Sequence, residues 1–248
     1  FQSECNNKPD LWKEFQEYNK KHETHGTSLL HLKILNLAMQ YMTGKDEYRF
    51  INFFKRWNPD YLFNLIFSLS EIDKDFANAL TKKCIDKAFK IISERGYKDS
   101  YFNWLINVND KAIKYYPEDS WFIREKARLL MKLGDSSSAI ELYKSLILTM
   151  SNDADLWKEF ADCFKLDLDL RLGMLVNALK VEKNVGGLAE IHLKLAEVLI
   201  NKKQPEDAKI ELSSYNKLGK DLTKGLLHLY QYLNKDLLHV KGTKKSNR

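Results

Sequence analysis

A pair of small residues twelve positions apart recurs three times in the second half of this 248-residue chain. The pairs are Ala127 with Ala139, Ala161 with Gly173, and Ala196 with Ala208, and corresponding members lie 34 and then 35 residues apart. Two antiparallel helices approach closely only where their side chains are small, so this spacing predicts helical hairpins stacked with a period near 34. Stacked helical repeats usually work by offering a surface to a partner.

The composition agrees with a chain that is helical almost throughout. It contains only 10 Gly and 4 Pro, while hydrophobic residues make up 44%, enough for a sizeable core. Caps and turn residues place three hairpins and a final capping helix, Asp221 to about Leu238. The predicted hairpins pair Ser120–Leu133 with Ser136–Met150, Asp153–Lys165 with Leu170–Lys183, and Leu188–Asn201 with Pro205–Lys217.

The first 115 residues are less regular. Two helices are predicted in residues 73–115. One runs from Asp73 or Asp75 through Ile92, with Gly96 as the C-terminal stop signal, and the other runs from Tyr101 to Tyr115. Residues 74–115 thereby resemble a degenerate hairpin. Residues 4–72 are expected to form an irregular helical part. The aromatic stretch from Tyr48 to Phe67 is interpreted as core packing between helices, the alternative being a base-stacking surface. Domains are thus predicted at 4–72 and 73–240, with a basic tail at 241–248.

The three hairpins resemble the tetratricopeptide repeat (TPR) family over about residues 112–216. The family favours small residues at its eighth and twentieth positions, where the three small pairs fall, and aromatic residues at set places nearby. Tyr143, Trp157 and Phe164 match those aromatic places, and Pro117 matches the proline that ends a repeat. Gly173 and Asn177 depart from the pattern. The resemblance implies an all-α, right-handed stack of antiparallel helical hairpins, that is, a TPR-like solenoid.

A second resemblance concerns the order of short helical motifs. They are Tyr116-Pro117, Trp121, Leu129-Leu130, Trp157 with Ala161, Asn177-Ala178-Leu179-Lys180, Leu193-Lys194-Leu195-Ala196 and Ala208-Lys209-Ile210-Glu211. This order is similar to the helical region of bacterial TOTE-type conflict-system proteins, where such helices lie beside nucleic-acid-binding or enzymatic modules. It implies an accessory domain of a defence protein.

The candidate partner-binding residues lie on the first helix of each hairpin, which lines the concave face in this class of repeat. The outward positions are expected to be Arg124, Arg128, Lys158, Asp162, Glu190, Lys194 and Glu197. Some family members clamp a partner's C-terminal carboxylates with basic residues at such places. Because Glu159 and Glu190 would repel a carboxylate, we expect a protein or peptide partner of mixed charge instead. Solvated helix faces are the alternative interpretation.

Motifs for catalysis or metal binding are absent or weak. The sequence contains no phosphate-binding glycine loop and no nucleophile elbow, so we expect a non-catalytic module without a cofactor. His22 and His25 have a spacing that a metal could use, but Gly26 favours a solvated loop. Gly186-Gly187 is expected to be a loop before a helix rather than an anion site. The acidic run from Asp162 to Asp169 lacks the glycine and closing glutamate of a calcium loop, which favours turn and cap roles.

Charge, cysteines and termini complete the expectations. Residues 201–248 hold 11 Lys/Arg and 5 Asp/Glu, which equals the net charge of +6 of the whole chain. The tail residues Lys241, Lys244, Lys245 and Arg248 are predicted to be solvated, or alternatively to contact RNA or DNA phosphates. Three unpaired cysteines, and no apolar run long enough for a membrane, favour the cytoplasm. Phe1-Gln2-Ser3 matches the end of a cleavage tag, and the chain is interpreted as a fragment of a larger protein.

Overall fold

The computed structural model describes residues 8–22, 29–64 and 70–218. Twelve α-helices and one 3₁₀ turn, Gly44–Asp46, account for most of these residues, and no strand occurs among them. The helices are α1 Lys8–His22, α2 Leu29–Tyr41, α3 Tyr48–Trp57, α4 Asp60–Asn64, α5 Glu71–Glu94, α6 Asp99–Tyr115, α7 Ser120–Lys132, α8 Ser136–Thr149, α9 Ala154–Ala161, α10 Leu168–Val181, α11 Val185–Asn201 and α12 Pro205–Lys217. The predicted all-α fold class is confirmed.

Local chemistry explains most of the helix boundaries. Five helices begin after an Asp or Asn whose side-chain oxygen accepts a backbone N–H of the first turn, and Asp135 caps α8 in this way at 3.1 Å. The other four caps are Asp119 of α7 (3.2 Å), Asp153 of α9 (3.0 Å), Asp167 of α10 (3.0 Å) and Asn184 of α11 (2.7 Å). Gly96 and Gly134, with φ of 63° and 81°, follow α5 and α7, as predicted, because the left-handed conformation that ends a helix favours glycine. Pro205 opens α12, also as predicted.

The chain divides into two compact units, residues 1–139 and 140–248, with the boundary inside α8. The first unit has one continuous core that reaches from Phe15 on α1 to Leu129 on α7. Phe50, Phe53, Phe54 and Trp57 on α3 are buried in that core, which confirms the packing interpretation of the aromatic stretch for its described part. Because α5 packs against both α3 and α6, the core shows no break at the predicted domain boundary near residue 72.

The second unit is built from successive helix pairs. Helix α10 packs against α9 and α11, and α11 packs against α12, so the contacts run mainly between neighbours in sequence. The resulting hydrophobic clusters are small: one lies around Ala161, Leu175 and Ile191, and another around Ala196 and Leu212. This neighbour-to-neighbour pattern is typical of helical repeats. The predicted capping helix from Asp221 lies outside the described residues.

Two limits of the predicted hairpin helices differ from the structure by three residues or more, while the others agree within two. Helix α9 ends at Ala161 rather than Lys165. Beyond it the backbone hydrogen bonds span three residues instead of four, from Cys163 N–H to Phe160 O and from Phe164 N–H to Ala161 O. Gly186 and Gly187 lie in the first turn of α11, not in a loop before it. The Asn184 side chain caps Gly186, which moves the helix start three residues earlier than predicted.

Five of the six residues of the small-residue pairs are buried, and the exception lies in the middle pair. Ala127, Ala139, Ala161, Ala196 and Ala208 are fully buried. Gly173, by contrast, is exposed, and a Cβ added there would meet nothing within 4 Å. Because α10 begins at Leu168, its fourth residue is Arg171, whereas the fourth residues of α8 and α12 are Ala139 and Ala208. The expectation that Gly173 faces Ala161 is therefore wrong: the longer turn after α9 rotates it to the surface.

Candidate functional site

Charged side chains of α9 and α11 pair directly across neighbouring hairpins. Lys158 Nζ lies 2.7 Å from Glu190 Oε2, and Lys194 Nζ lies 3.0 Å from Asp162 Oδ2. In both pairs the partners are 32 residues apart, close to one repeat. All four were predicted to point outward from the first helices of their hairpins. We call the surface formed by these residues together with Asp155, Arg171 and Glu197 the α9–α11 face.

Lys158 is the most enclosed cation of this face. Its side chain is only 9% exposed, and it also contacts Asp155 at 2.7 Å. Burial lowers the pKa of Lys158, but hydrogen bonds to Asp155 and Glu190 outweigh burial and raise the pKa above its ordinary 10.5. The ammonium group is therefore held charged beneath its two carboxylate partners. Lys158 does not point freely outward as the sequence suggested.

Arg171 belongs to the same face, although it lies on α10. Its guanidinium Nη2 lies 3.7 Å from Asp162 Oδ1 and 3.9 Å from Glu197 Oε2, so one arginine spans α9 and α11. Arg171 is not among the site residues predicted from the sequence, because it belongs to the second helix of its hairpin. The only signal available was its place at the start of α10, where the other hairpins carry alanine. Asp155 was also missed, although it lies three positions before Lys158, a spacing at which charges meet on a helix.

On this face the negatively charged side chains are more exposed to solvent than the positively charged ones. The cations are mostly covered: Lys158 is 9%, Arg171 13% and Lys194 23% exposed. The carboxylates lie above them: Asp155 is 66%, Glu190 51%, Glu197 49% and Asp162 42% exposed. Solvent therefore meets carboxylate oxygens supported by buried cations. The surface that a partner would touch is acidic, although nearly equal numbers of both signs lie in it.

The remaining predicted site residues, Arg124 and Arg128, belong to the first unit. Arg128 Nη1 pairs with Glu125 Oε2 at 2.7 Å, and Glu125 is only 1% exposed. The guanidinium of Arg128 also lies 4.8 Å from the centre of the Phe89 ring and 4.0 Å from Asp86. These contacts give Arg128 a structural task, which is to neutralise a buried carboxylate. A role of Arg124 and Arg128 in partner binding stays a prediction.

The other sequence candidates acquire no site. The side chain of His22 and all of His25 lie outside the described residues, as do Lys241, Lys244, Lys245 and Arg248 of the tail. Within the part of the chain that the structure describes, no group of three or more His, Cys, Asp or Glu is placed to hold a metal. No helix described there is both long and apolar enough to cross a membrane. Burial raises the pKa of the Cys163 thiol to about 12, the nearby Asp162 and Glu159 adding to it, so the thiol is unreactive at neutral pH.

Comparison with known protein families gives one match. Residues 120–225 match a family model described as "Domain of unknown function (DUF7017)". The match covers the part of the chain that contains the three clear hairpins and the α9–α11 face. No curated protein matches the sequence.

Solved structures identify the fold. The chain is similar to MamA, residues 41 to the end, from Desulfovibrio magneticus RS-1, with 12% identity, a TM-score of 0.51, and coverage of 76% of this chain and 95% of that one. A MamA RS-1 double mutant gives 13% identity, a TM-score of 0.54, and coverage of 76% and 94%. YrrB, described as a TPR protein with an unusual peptide-binding site, has 14% identity and a TM-score of 0.52, with coverage of 88% of this chain and 97% of that one. The TPR-like helical solenoid predicted from the small-residue spacing is thereby confirmed as the fold.

Proposed function

We propose that this chain is a non-catalytic protein-interaction module whose α9–α11 face binds a polypeptide segment that carries Lys or Arg. The observation behind the proposal is the separation of charge on that face, with cations covered and carboxylates exposed. A basic segment can approach Glu190, Glu197 and Asp155 without removing the buried cations from their partners. The sequence led us to expect a partner of mixed charge. The exposure of the charged side chains, which a sequence does not show, favours a basic partner instead.

Two further points support a peptide rather than another kind of ligand. The fold is shared with YrrB, a protein described as having a peptide-binding site, although at 14% identity this likeness extends only to the fold. The exposed carboxylates would repel both a C-terminal carboxylate and a nucleic-acid phosphate. The face therefore suits neither of those ligands.

The experiment is a selection of random peptides against the full chain, followed by affinity measurements on the enriched sequences. We expect enrichment of Lys and Arg. The double variant Glu190→Gln with Glu197→Gln should weaken binding roughly three- to tenfold at low salt, since exposed charge pairs are individually weak. In the variant, Lys158 keeps Asp155 and Arg171 keeps Asp162, so the fold should persist.

The matched control removes the same charge elsewhere, with Glu141→Gln on α8 and Glu206→Gln on α12. Both carboxylates are exposed, at 73% and 74%, and among the described residues each forms an ion pair only with a lysine three positions along its own helix. The control should bind like the wild type, and added salt should weaken binding for all proteins. Enrichment of neutral or acidic peptides, or equal affinity of both double variants, would show that the face is not the binding surface.

A further inference from the structure

A cavity of about 380 Å³ lies in the first unit between α1, α3 and α6. Trp12, Gln16 and Asn19 on α1 line one side, at the i, i+4, i+7 spacing of a single helix face. Asn52, Phe53, Lys55 and Arg56 line the α3 side, and Tyr101 of α6 closes the wall. All of these residues except Tyr101 belong to the N-terminal region that no repeat pattern explains, so repeat packing does not account for their arrangement.

The aromatic residues of the cavity are held in place by cations. Lys55 Nζ lies 4.6 Å from the centre of the Tyr101 ring and 5.3 Å from that of Trp104. The guanidinium carbon of Arg49 lies 5.3 Å from the centre of the Trp12 ring. Such contacts orient the rings. Trp12 and Tyr101 therefore offer two pre-positioned aromatic surfaces to a ligand.

The cavity wall carries positive charge without a matching negative one. Lys55 and Arg56 are exposed at its α3 side, and no carboxylate of the described residues lines the cavity. Neither cation forms an ion pair with a carboxylate in the part of the chain that the structure describes. By contrast, Lys82, Lys111 and Lys126 of the same unit each pair with an aspartate within 2.7 Å. The wall is thus suited to a negatively charged group.

A buried amide adds a directional polar group. Asn19 is only 5% exposed, and its Nδ2 donates to the carbonyl of Phe53 at 3.4 Å. Its Oδ1 is buried and has no hydrogen-bond partner among the described residues. A buried acceptor without a partner costs folding free energy, and a ligand that donates a hydrogen bond would recover it. Gln16 and Asn52 supply further amides beside it.

We propose that this cavity binds a small phosphate-bearing ligand with a planar, hydrogen-bonding ring, of the chemical class of a nucleoside monophosphate. Lys55 and Arg56 would hold the phosphate, Trp12 and Tyr101 would contact the ring, and the Asn19 amide would pair with a donor on the ring edge. The volume lies at the lower end of the range for small-molecule sites, roughly 300–1,000 Å³, which suits one small molecule rather than a polymer. The proposal is independent of the peptide-binding face, which lies in the other unit.

Isothermal titration calorimetry of the full chain with adenosine 5′-monophosphate tests the proposal, with adenosine and inorganic phosphate as separate ligands. We expect the monophosphate to bind more tightly than either fragment, because only it engages the cations and the rings together. Lys55→Gln with Arg56→Gln should weaken its binding roughly tenfold or more, since two charge-assisted hydrogen bonds are lost. Lys90→Gln with Lys132→Gln removes two exposed charges from α5 and α7 and should change nothing.

Four results would overturn the proposal: no binding of the monophosphate at millimolar concentration, equal affinities for both double variants, binding of adenosine as tight as that of the monophosphate, or saturation by a peptide carboxylate alone. Circular dichroism shows whether each variant is folded. The substituted lysines and arginine are exposed, so we expect helix content to match the wild type.

Discussion

Asp119 performs three tasks with one carboxylate. Its Oδ1 accepts the backbone N–H of Trp121 and so caps α7. Its Oδ2 accepts from Asn78 Nδ2 at 3.0 Å and lies 2.5 Å from Lys82 Nζ, both on α5. Burial alone would raise the pKa of Asp119, but these hydrogen bonds outweigh burial and hold the pKa below its ordinary value of 3.8. The contacts that link the start of α7 to α5 are therefore stronger when the Asp119 side chain is ionised.

We expect Asp119→Ala to lower the free energy of unfolding by roughly 1–2 kcal/mol at pH 7, the range typical of a lost helix cap. Because the folded-state pKa is depressed, the contribution of Asp119 is complete above pH 3.8 and is lost as the pH falls through the folded-state value. The difference in stability between wild type and variant should therefore shrink below pH 3.8. Urea unfolding at several pH values measures it.

Glu118→Ala is the control, since Glu118 is the exposed neighbour of Asp119. It should leave the unfolding free energy within about 0.5 kcal/mol of the wild type, as most surface substitutions do. A stability difference for Asp119→Ala that stays constant down to pH 2 would mean that its carboxylate is not the source of the effect.

Helix α10 differs from the other second helices of the hairpins. Its fourth residue is Arg171, which reaches Asp162 and Glu197, where α8 and α12 carry a buried alanine. The middle hairpin thus gains an inter-helix ion pair in place of a close alanine contact. Its glycine, Gly173, takes no part in packing and lies in the interior of an exposed helix face, where glycine is a poor helix former.

Gly173→Ala should therefore stabilise the protein by roughly 0.5–1 kcal/mol. Alanine lowers the conformational entropy of the unfolded chain, and its Cβ meets no neighbouring atom in the folded protein. Thermal unfolding followed by circular dichroism measures the change.

Enlarging a buried alanine gives the contrast. Ala208→Leu should destabilise by roughly 1–3 kcal/mol, because Ala208 is fully buried between α11 and α12. A loss of stability on Gly173→Ala would restore the interpretation in which Gly173 lies inside the hairpin.

The two compact units have cores of different kinds. In the first, a single cluster collects buried residues from α1 to α7 and contains most of the aromatic ones. In the second, small clusters lie between successive helices, and each helix depends mainly on its neighbours. Repeat arrays of the second kind open locally, since few long-range contacts tie distant helices together.

A core substitution at the end of the described array should therefore act locally. Leu212 on α12 is 1% exposed, and Leu212→Ala should cost roughly 2–5 kcal/mol of local stability. In hydrogen–deuterium exchange, amides of α11 and α12 should exchange faster in the variant, while those of α5 and α6 should not change. Ile210→Ala on the same helix, at a side chain 63% exposed, should leave all exchange rates unaltered. A uniform acceleration throughout the chain would contradict local opening.

Much of the fold follows from the sequence because its signals are local. Asp119 accepts a backbone N–H at the start of α7, Gly134 adopts the positive φ that follows its end, and Pro205 lacks an N–H that the first turn of α12 would leave unpaired. Each effect acts within one turn, so the limits of α7 and α12 could be predicted closely. Ala196 with Ala208 identifies the α11–α12 hairpin, because a helix contact needs small side chains wherever it occurs. A turn after α9 was predicted, but the early end of the helix at Ala161 was not, since no glycine or proline marks it.

The candidate site depended on contacts between helices, which the sequence does not contain. Lys158, Asp162, Glu190 and Lys194 were identified as surface charges, but their pairing joins residues about one repeat apart, and Arg171 enters from a different helix. The packing of two helices decides whether a lysine or its carboxylate partner is more exposed to solvent. On the α9–α11 face the carboxylates are more exposed, which makes the face acidic. The spacing of small residues thus specifies which helices meet, whereas the charge that faces a partner arises only once they have met.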